Sequence, residues 1–462
     1  MSVKGKPSVL IFMLDTQRTD NMGCYGYDKP TTPNVDRLAG EGVVFLDNIS
    51  PAIWTLPSVA SMMTGLHVTS HGSGAAYESF NDKPATLAEI LADMGYLTAG
   101  FFANSYAFMS HKGFRELHVP EGGGIRMGRD YFEVSRQRID RVRHWLDFNW
   151  KGKDSTPFFI YVQVMDPHMP LLPRSPFREQ FALPDITDEE IARLNATLGP
   201  VYLNQCHFTE RDRAVLLSLY DADTAGGDSH LGLLIDYMRQ RKILDDTIVI
   251  VMSDHGEMFG EHQDALSGHD HFTHHLCAYE ELIKVPLVVR CPKIFAAGKR
   301  VEHSTQTLDI LPTLAEIIGF EAPQCQGFSL LGAVRGQPRR DFTLTEYQKG
   351  VHMAWRMLQK DPEADPRVFL PAIKAWRRNG MKYIWRSDLR DELYDLGQDP
   401  KEQRNLIGQM PQKAKEMRLE LEDFLTGLPP ADTGDLIAAD RHCPPRLLAR
   451  LRGAGWFLAR ES

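Results

Sequence analysis

A hydroxyl, several acid-bearing segment ends and a dense run of imidazoles carry the chemistry in this sequence. Thr55 lies in Trp54-Thr55-Leu56-Pro57-Ser58-Val59-Ala60-Ser61-Met62-Met63-Thr64-Gly65. Pro57 suits the first turn of a helix, because it lacks an N–H and presets φ. Gly65 can end that helix. The pattern places Thr55 on the turn just ahead of a helix N-terminus. Unpaired N–H groups and the positive dipole end gather there, which suits an anion such as sulfate or phosphate. A hydroxyl beside an anion is a candidate nucleophile once something lowers its pKa.

Three continuous apolar runs end in residues that can serve that hydroxyl. Residues 8–14 end at Asp15, residues 158–165 at Asp166-Pro167-His168-Met169-Pro170, and residues 247–252 at Ser253-Asp254-His255-Gly256-Glu257. An adjacent Asp and His offer a hard oxygen and an imidazole nitrogen to one divalent ion. Six of the 17 histidines, His255, His262, His269, His271, His274 and His275, fall within one short stretch. Buried imidazoles need partners, so that density fits a polar site handling protons, anions or metal, with about half of the six outside it. Attack by a hydroxyl on a tetrahedral sulfur or phosphorus ester needs a cation for the oxyanion and a donor for the leaving oxygen. Asp15, Asp254 and His255 can hold the cation against Thr55. His168, His274 or His275 can grip the ester oxygens or protonate the leaving group.

The elements that must position these groups follow from periodicity. Short buried apolar runs at 8–14, 43–48, 97–102, 158–165, 247–252 and 282–289 read as strands, and 34–41, 86–94, 130–148, 212–240 and 308–319 read as helices. Strands alternating with helices predict a large, mostly parallel α/β sheet sandwiched by helices, with ligands gathered outside the strand carboxyl ends. Residues 105–128 and 175–207 read as insertions near the site mouth, the first as a loop. Asp221 and Asp223, within the 212–240 helix, read as a solvated or helix-packing face. After residue 337 the pattern changes to short antiparallel strands and an amphipathic helix at 411–425. The expected division is a catalytic α/β domain over 1–337, a smaller α+β subdomain over 338–430, and an arm over 431–462. That arm is apolar enough to dock on its own chain or on a neighbouring subunit in a homo-oligomer.

With 462 residues, 43% apolar and 24% charged, the composition is that of a globular protein with a sizeable core. A net charge of −9 argues against a general nucleic-acid binder. No apolar run is long enough to span a membrane. Cys24, Cys206, Cys277, Cys291, Cys325 and Cys443 show no paired spacing and read as reduced thiols, in keeping with an expected cytoplasmic location.

The motifs resemble the sulfatase family of the alkaline phosphatase superfamily. Asp15-Thr16-Gln17-Arg18-Thr19-Asp20 with Gly23-Cys24-Tyr25-Gly26 is similar to its opening metal segment, and Thr32-Pro33-Asn34-Val35-Asp36-Arg37-Leu38-Ala39 to its next block. The segments around His168, at 253–257 and at 279–286 follow in family order. Glu392-Leu393-Tyr394-Asp395-Leu396, Asp399-Pro400 and Arg404-Asn405-Leu406 resemble its carboxy-terminal signature.

The resemblance implies an alkaline phosphatase-like fold, a small anionic ester substrate and one divalent cation (Ca²⁺, Mg²⁺, Mn²⁺ or Zn²⁺) on Asp15, Thr55, Asp254 and His255. A second ion would need Asp166, His168 and a His from 269–275. Family sulfatases carry an oxidisable Cys or Ser where Thr55 stands, and Arg where Val59 stands. Oxidation of a Thr secondary alcohol would give a ketone rather than the catalytic aldehyde, formylglycine. An unmodified Thr is how related phosphodiesterases attack phosphorus, and the Asp254-His255 pair is similar to that of phosphonate monoester hydrolases. The family Lys that grips sulfate falls near His274 or His275. The expected activity is hydrolysis of phosphodiesters or phosphonate monoesters. The alternatives are a sulfuric ester hydrolase working without formylglycine and an anion-binding pseudoenzyme.

Overall fold

Register, more than any single contact, brings the candidate residues together. The computed structural model describes residues 5–74, 79–119, 130–152, 156–196, 205–264, 268–274, 276–348, 354, 358–359, 361–362 and 370–432. Ser8–Leu14 is buried along its whole length and pairs in parallel with Phe158–Val164 on one side and Thr247–Ser253 on the other. Leu14 lies opposite both Val164 and Ser253. The next residue of each strand, Asp15, Met165 and Asp254, therefore emerges at one level on one sheet edge.

The full sheet has eight strands, in the order Lys299–Val301, Val43–Phe45, Leu287–Arg290, Thr247–Ser253, Ser8–Leu14, Phe158–Val164, Leu97–Phe101 and Glu116–His118. All neighbours are parallel except Leu287–Arg290, which is antiparallel to both of its partners. Successive side chains of Ser8–Leu14 serve opposite faces, as strand geometry requires. Val9, Ile11 and Met13 pack with residues of the Thr55–Thr64 and Ile310–Ile318 helices. Leu10, Phe12 and Leu14 pack with residues of Pro33–Glu41, Tyr131–Asn149 and Glu210–Gln240. The 31-residue Glu210–Gln240 helix can lie against the strand ends because Gly227 has no Cβ. One built there would stand 3.0 Å from Leu14 Cδ2 and 3.2 Å from Asp166 Cβ.

Several expectations are corrected in detail. The 105–128 stretch is not wholly loop: Ser105–Phe108 forms a helical turn and Glu116–His118 adds an edge strand, while residues 120–129 lie outside the described residues. The 282–289 run is not one strand, because Glu280–Ile283 is helical and only Leu287–Arg290 joins the sheet. Pro286, with no N–H to give a ladder, stands at that boundary. The 43–48 run divides into Val43–Phe45 in the large sheet and Asn48–Ile49, which pairs with Thr305–Gln306. Of the two readings of Asp221 and Asp223, the packed one holds, because both are buried. Asp221 accepts from Asn21 Nδ2 at 2.6 Å, Tyr27 Oη at 2.8 Å and Lys29 Nζ at 2.7 Å, and Asp223 accepts from the Leu172 N–H.

A second sheet of four antiparallel strands, Phe342–Tyr347, Ile373–Arg378, Met381–Arg386 and Glu392–Asp395, carries the Pro411–Gly427 helix on one face. Buried charge pairs fasten it to the larger sheet's surroundings. Lys382 lies 2.8 Å from Glu402 and 3.2 Å from Glu280, and Glu346 is joined to Lys374 and Thr69. Breaking a buried pair from one side costs about 3–5 kcal/mol. Residues 433–462, almost all of the expected arm, lie outside the described residues. No helix among the described residues is long and apolar enough to cross a membrane, and the five described cysteines are free thiols.

Candidate active site

Thr55 is the first residue of the Thr55–Thr64 helix, one position further in than the sequence pattern placed it. Trp54 is its extended N-cap, and Gly65 closes it with φ +69°. The whole helix is buried. Ser58, one turn on, donates its hydroxyl to the Asp254 carbonyl at 2.7 Å, which ties the helix start to the end of the Thr247–Ser253 strand. Thr55 Oγ1 then lies 3.2 Å from His255 Nε2.

Around that hydroxyl Asp15 and Asp254 each have one oxygen anchored and one bare, and His255 has one nitrogen anchored and the other beside Thr55. Asp15 Oδ2 accepts from Asn104 Nδ2 at 2.6 Å and Gln163 Nε2 at 2.8 Å, while Oδ1 has no hydrogen-bond partner. Asp254 Oδ1 accepts from the His255 N–H at 3.0 Å and the Thr16 N–H at 3.3 Å, while Oδ2 has none. His255 Nδ1 lies 2.9 Å from the Gly256 carbonyl. A carbonyl only accepts, so Nδ1 carries the hydrogen and Nε2 presents its lone pair. That lone pair is 3.5 Å from Asp254 Oδ2 and 4.0 Å from Asp15 Oδ1. The three ligand atoms fall within 4.8 Å of one another, and all three residues are buried. Two orphaned carboxylate oxygens facing an imidazole lone pair are costly unless something positive sits between them. Burial, and then the Asp254 charge, push the Asp15 carboxyl well above its ordinary range. This donor set fits a divalent cation of the harder kind.

The segment after Asp15 is held under strain. Thr16 has φ +61°, a left-handed backbone that β-branched residues rarely adopt. Tyr220 Oη holds it by donating to the Thr16 carbonyl at 2.6 Å and accepting from the Arg18 N–H at 2.8 Å.

His274 and His168 complete one wall. Their ring centroids are 5.2 Å apart, and those of His255 and His274 are 4.5 Å apart. Burial, then the neighbouring His255 and His168, hold His274 well below the usual imidazole range, and burial also lowers His168. His274 Nδ1 lies 3.0 Å from Glu257 Oε1. Burial pushes that carboxyl up to about 7. His275 lies outside the described residues. His262 and His271 pack around the Tyr279 ring, and His269 lies tilted against the His207 ring.

The set considered for a second ion does not come together among the described residues. Asp166 Oδ2 turns to His230 Nε2 at 3.8 Å, and the single acid-and-imidazole cluster found there is Asp15, Asp254 and His255. Asp166 packs against Gly226 and Gly227 of the long helix.

Sequence reasoning missed Asn104, Gln163 and Glu257. Asn104 Nδ2 reaches Thr55 Oγ1 at 3.4 Å as well as Asp15, and the Tyr106 N–H on its Oδ1 at 2.8 Å fixes the orientation of the amide. Gln163 did leave a signal, as a lone polar side chain inside the apolar Phe158–Val164 strand.

Comparison with known proteins agrees with this geometry. The sulfatase family profile matches residues 7–320, and that of the N-sulphoglucosamine sulphohydrolase C-terminal region matches 268–428. The uncharacterized sulfatase YidJ of Escherichia coli is 24% identical over 460 residues, covering 91% of this chain and 86% of its own. The crystal structure of the phosphonate monoester hydrolase of Agrobacterium radiobacter superposes with a TM-score of 0.73 at 21% identity, covering 90% of this chain and 95% of that one. A putative sulfatase of Bacteroides thetaiotaomicron superposes with a TM-score of 0.70 at 21% identity, covering 96% of each. A profile match over more than half of the sequence, on a fold shared with these structures, makes this chain a member of the sulfatase family of ester hydrolases.

Proposed function

We propose that this chain hydrolyses monoanionic phosphorus esters, phosphodiesters or phosphonate monoesters, with the unmodified Thr55 hydroxyl as nucleophile. The observation that carries the reading is the placement of Thr55 Oγ1 at a helix N-terminus, 3.2 Å from the His255 lone pair and beside the orphaned oxygens of Asp15 and Asp254. A divalent cation held by Asp15, Asp254, His255 and Thr55 would supply the positive charge that favours the ionised hydroxyl and offsets charge on the ester oxygens.

The chain's own groups do the rest. The helix N-terminus favours negative charge at Oγ1. Asn104 Nδ2 donates to that oxygen and keeps it turned toward Asp15. Oγ1 forms its bond to phosphorus as the bond to the leaving oxygen breaks. His168 and His274, whose rings lie beside each other and next to His255, would supply the donors to ester or leaving oxygens. Water then attacks phosphorus and releases Thr55.

Charge supports a monoanionic substrate. Asp15, Asp254 and Glu257 are buried carboxyl groups, and the neighbouring donors Asn104, His168 and His274 are uncharged or held toward neutrality by burial. Val59, where the family resemblance expects Arg, is fully buried among apolar side chains. Arg18 spends its guanidinium on Asp20 and Glu261. A dianionic phosphomonoester would meet little compensating charge. A sulfate monoester, also a monoanion, is the second reading, favoured by the shared fold with the Bacteroides sulfatase.

Assays with p-nitrophenyl esters separate the readings. The cation-loaded protein is expected to turn over bis(p-nitrophenyl) phosphate and p-nitrophenyl phenylphosphonate at least about 100-fold more efficiently than p-nitrophenyl phosphate or sulfate, a gap of about 2.7 kcal/mol in transition-state binding. A reversed order, with sulfate leading, supports the sulfatase reading. No turnover of any of the four supports an anion-binding protein without catalysis.

A further inference from the structure

The turn that leaves Asp15 is held by a hydroxyl from outside the cation cluster. Tyr220 is fully buried on the Glu210–Gln240 helix, with its ring edge-on to Phe259 at 5.1 Å between centroids. A tyrosine buried for packing needs one partner for its hydroxyl. This one has two, both on the segment just after Asp15. It donates to the Thr16 carbonyl, which can only accept, and accepts from the Arg18 N–H, which can only donate. The helix comes this close because Gly227, seven residues on and on the same helical face, lies against Leu14, the residue before Asp15. The peptide unit between Thr16 and Gln17 is thereby gripped at both ends. Its carbonyl takes the Tyr220 hydroxyl, and its N–H donates to Ser253 Oγ at 2.9 Å. Ser253 Oγ in turn donates to the His255 carbonyl at 2.8 Å. The preceding N–H, that of Thr16, donates to Asp254 Oδ1 at 3.3 Å. Two successive N–H groups therefore converge on the turn that carries Asp254 and His255. An extended Thr16 would send them to opposite sides, whereas the left-handed φ of +61° brings them to one.

We infer that Tyr220 is a positioning residue for the cation: its hydroxyl holds the left-handed Thr16 turn that keeps the bare oxygens of Asp15 and Asp254 aimed at one point before an ion arrives. The inference rests on a cation being held by Asp15, Asp254 and His255, and it is independent of which ester is cleaved. A β-branched residue does not keep a left-handed backbone unaided. Without the phenol, the Thr16 turn relaxes toward extended geometry and its N–H leaves Asp254. Oδ1 of Asp254 then loses one of its two anchors, and Oδ2, the oxygen facing the cluster, is no longer fixed relative to Asp15 Oδ1. Groups that orient the ligands of a metal in this way commonly govern about 10–100-fold of its affinity. A phenol serving packing alone would support the fold equally with and without the ion.

The test is a calorimetric titration of Mn²⁺, an ion suited to a carboxylate-and-imidazole set, into the chelated full-length chain. Four proteins are compared: wild type, Tyr220→Phe, Thr16→Gly and the double variant. Phenylalanine keeps the ring against Phe259 and removes only the hydroxyl. The Kd for Mn²⁺ is expected to rise at least about tenfold in Tyr220→Phe. The melting gap between loaded and chelated protein should shrink with it, because binding stabilises the fold in proportion to affinity. Glycine adopts the left-handed turn freely. In the Thr16→Gly background the same Tyr220→Phe change is therefore expected to move Kd by less than about threefold, the sign of two positions coupled through one turn. An unchanged Kd in Tyr220→Phe, with loaded and chelated forms losing melting temperature equally, would overturn the inference and leave the phenol a packing group. A full tenfold loss that persists in the Thr16→Gly background would overturn the strained turn as the link. A wild-type chain that takes up no Mn²⁺ removes the cation site itself and the clamp with it, an outcome distinct from wild-type binding that Tyr220→Phe leaves intact.

Discussion

Thr55→Ala is expected to give a folded, cation-binding protein whose turnover of p-nitrophenyl phosphodiesters is lower by on the order of 10⁴-fold. In the proposed mechanism the substitution removes the group that forms the bond to phosphorus. Asp15, Asp254 and His255 form the cluster that could hold the cation. The structural cost is modest. Thr55 provides no side-chain cap to its helix, and the longer contacts at 3.2 Å and 3.4 Å from His255 and Asn104 are the hydrogen bonds of its hydroxyl. Loss of such contacts costs about 1 kcal/mol, far less than the catalytic loss. Thr55→Ser keeps the hydroxyl and should retain activity to within about tenfold. Thr55→Ala activity close to wild type in the same steady-state assay would remove Thr55 from the mechanism.

Chelating the cation is expected to stop turnover and to give the protein a stability that falls as pH rises. The sign follows from Asp15. Its carboxyl, raised well above the ordinary 3.8 by burial and Asp254, binds a proton in the cation-free native state that the unfolded chain has already released. The native state then holds more protons than the unfolded state, so stability drops with pH. The contribution is complete below the unfolded value and is lost as pH climbs through the folded one. Glu257 adds the same sign between the ordinary 4.5 and about 7. A bound divalent cation takes over from the proton at Asp15 and stabilises the fold by about 4 kcal/mol at a thousandfold excess over its Kd. Melting curves of loaded and chelated protein should therefore diverge as pH rises above the ordinary Asp15 value of 3.8. A melting gap that stays constant or closes over that range would contradict the assignment of Asp15 to the cation site.

The parts of this architecture that depend on local pattern were legible in the sequence. Continuous apolar runs located Ser8–Leu14, Phe158–Val164 and Thr247–Ser253 to within a residue or so, and parallel pairing then put Asp15 and Asp254 on one edge. Gly65 marked the helix end because a left-handed residue there strongly favours glycine. What sequence could not supply were groups defined by distant partners. Asn104 and Gln163 meet Asp15 across 89 and 148 positions, and neither has a local reason to be singled out as its anchor. The sequence left Asp221 open between a solvated and a helix-packing face because Asn21, Tyr27 and Lys29, which bury and bond it, come from about two hundred residues away. The Glu116–His118 strand has three residues, too short for any alternation to register. Among the clustered histidines, His274 at Glu257 and His271 beside Tyr279 differ by tertiary placement alone.

The most direct measurement is the identity of the covalent intermediate. The cation-loaded protein is mixed with bis(p-nitrophenyl) phosphate, quenched in acid during turnover, digested and mapped by mass spectrometry. A p-nitrophenylphosphoryl group on Thr55, absent from Thr55→Ala, is the result this account predicts. Turnover with the group on another residue, or an adduct that persists in Thr55→Ala, would contradict it.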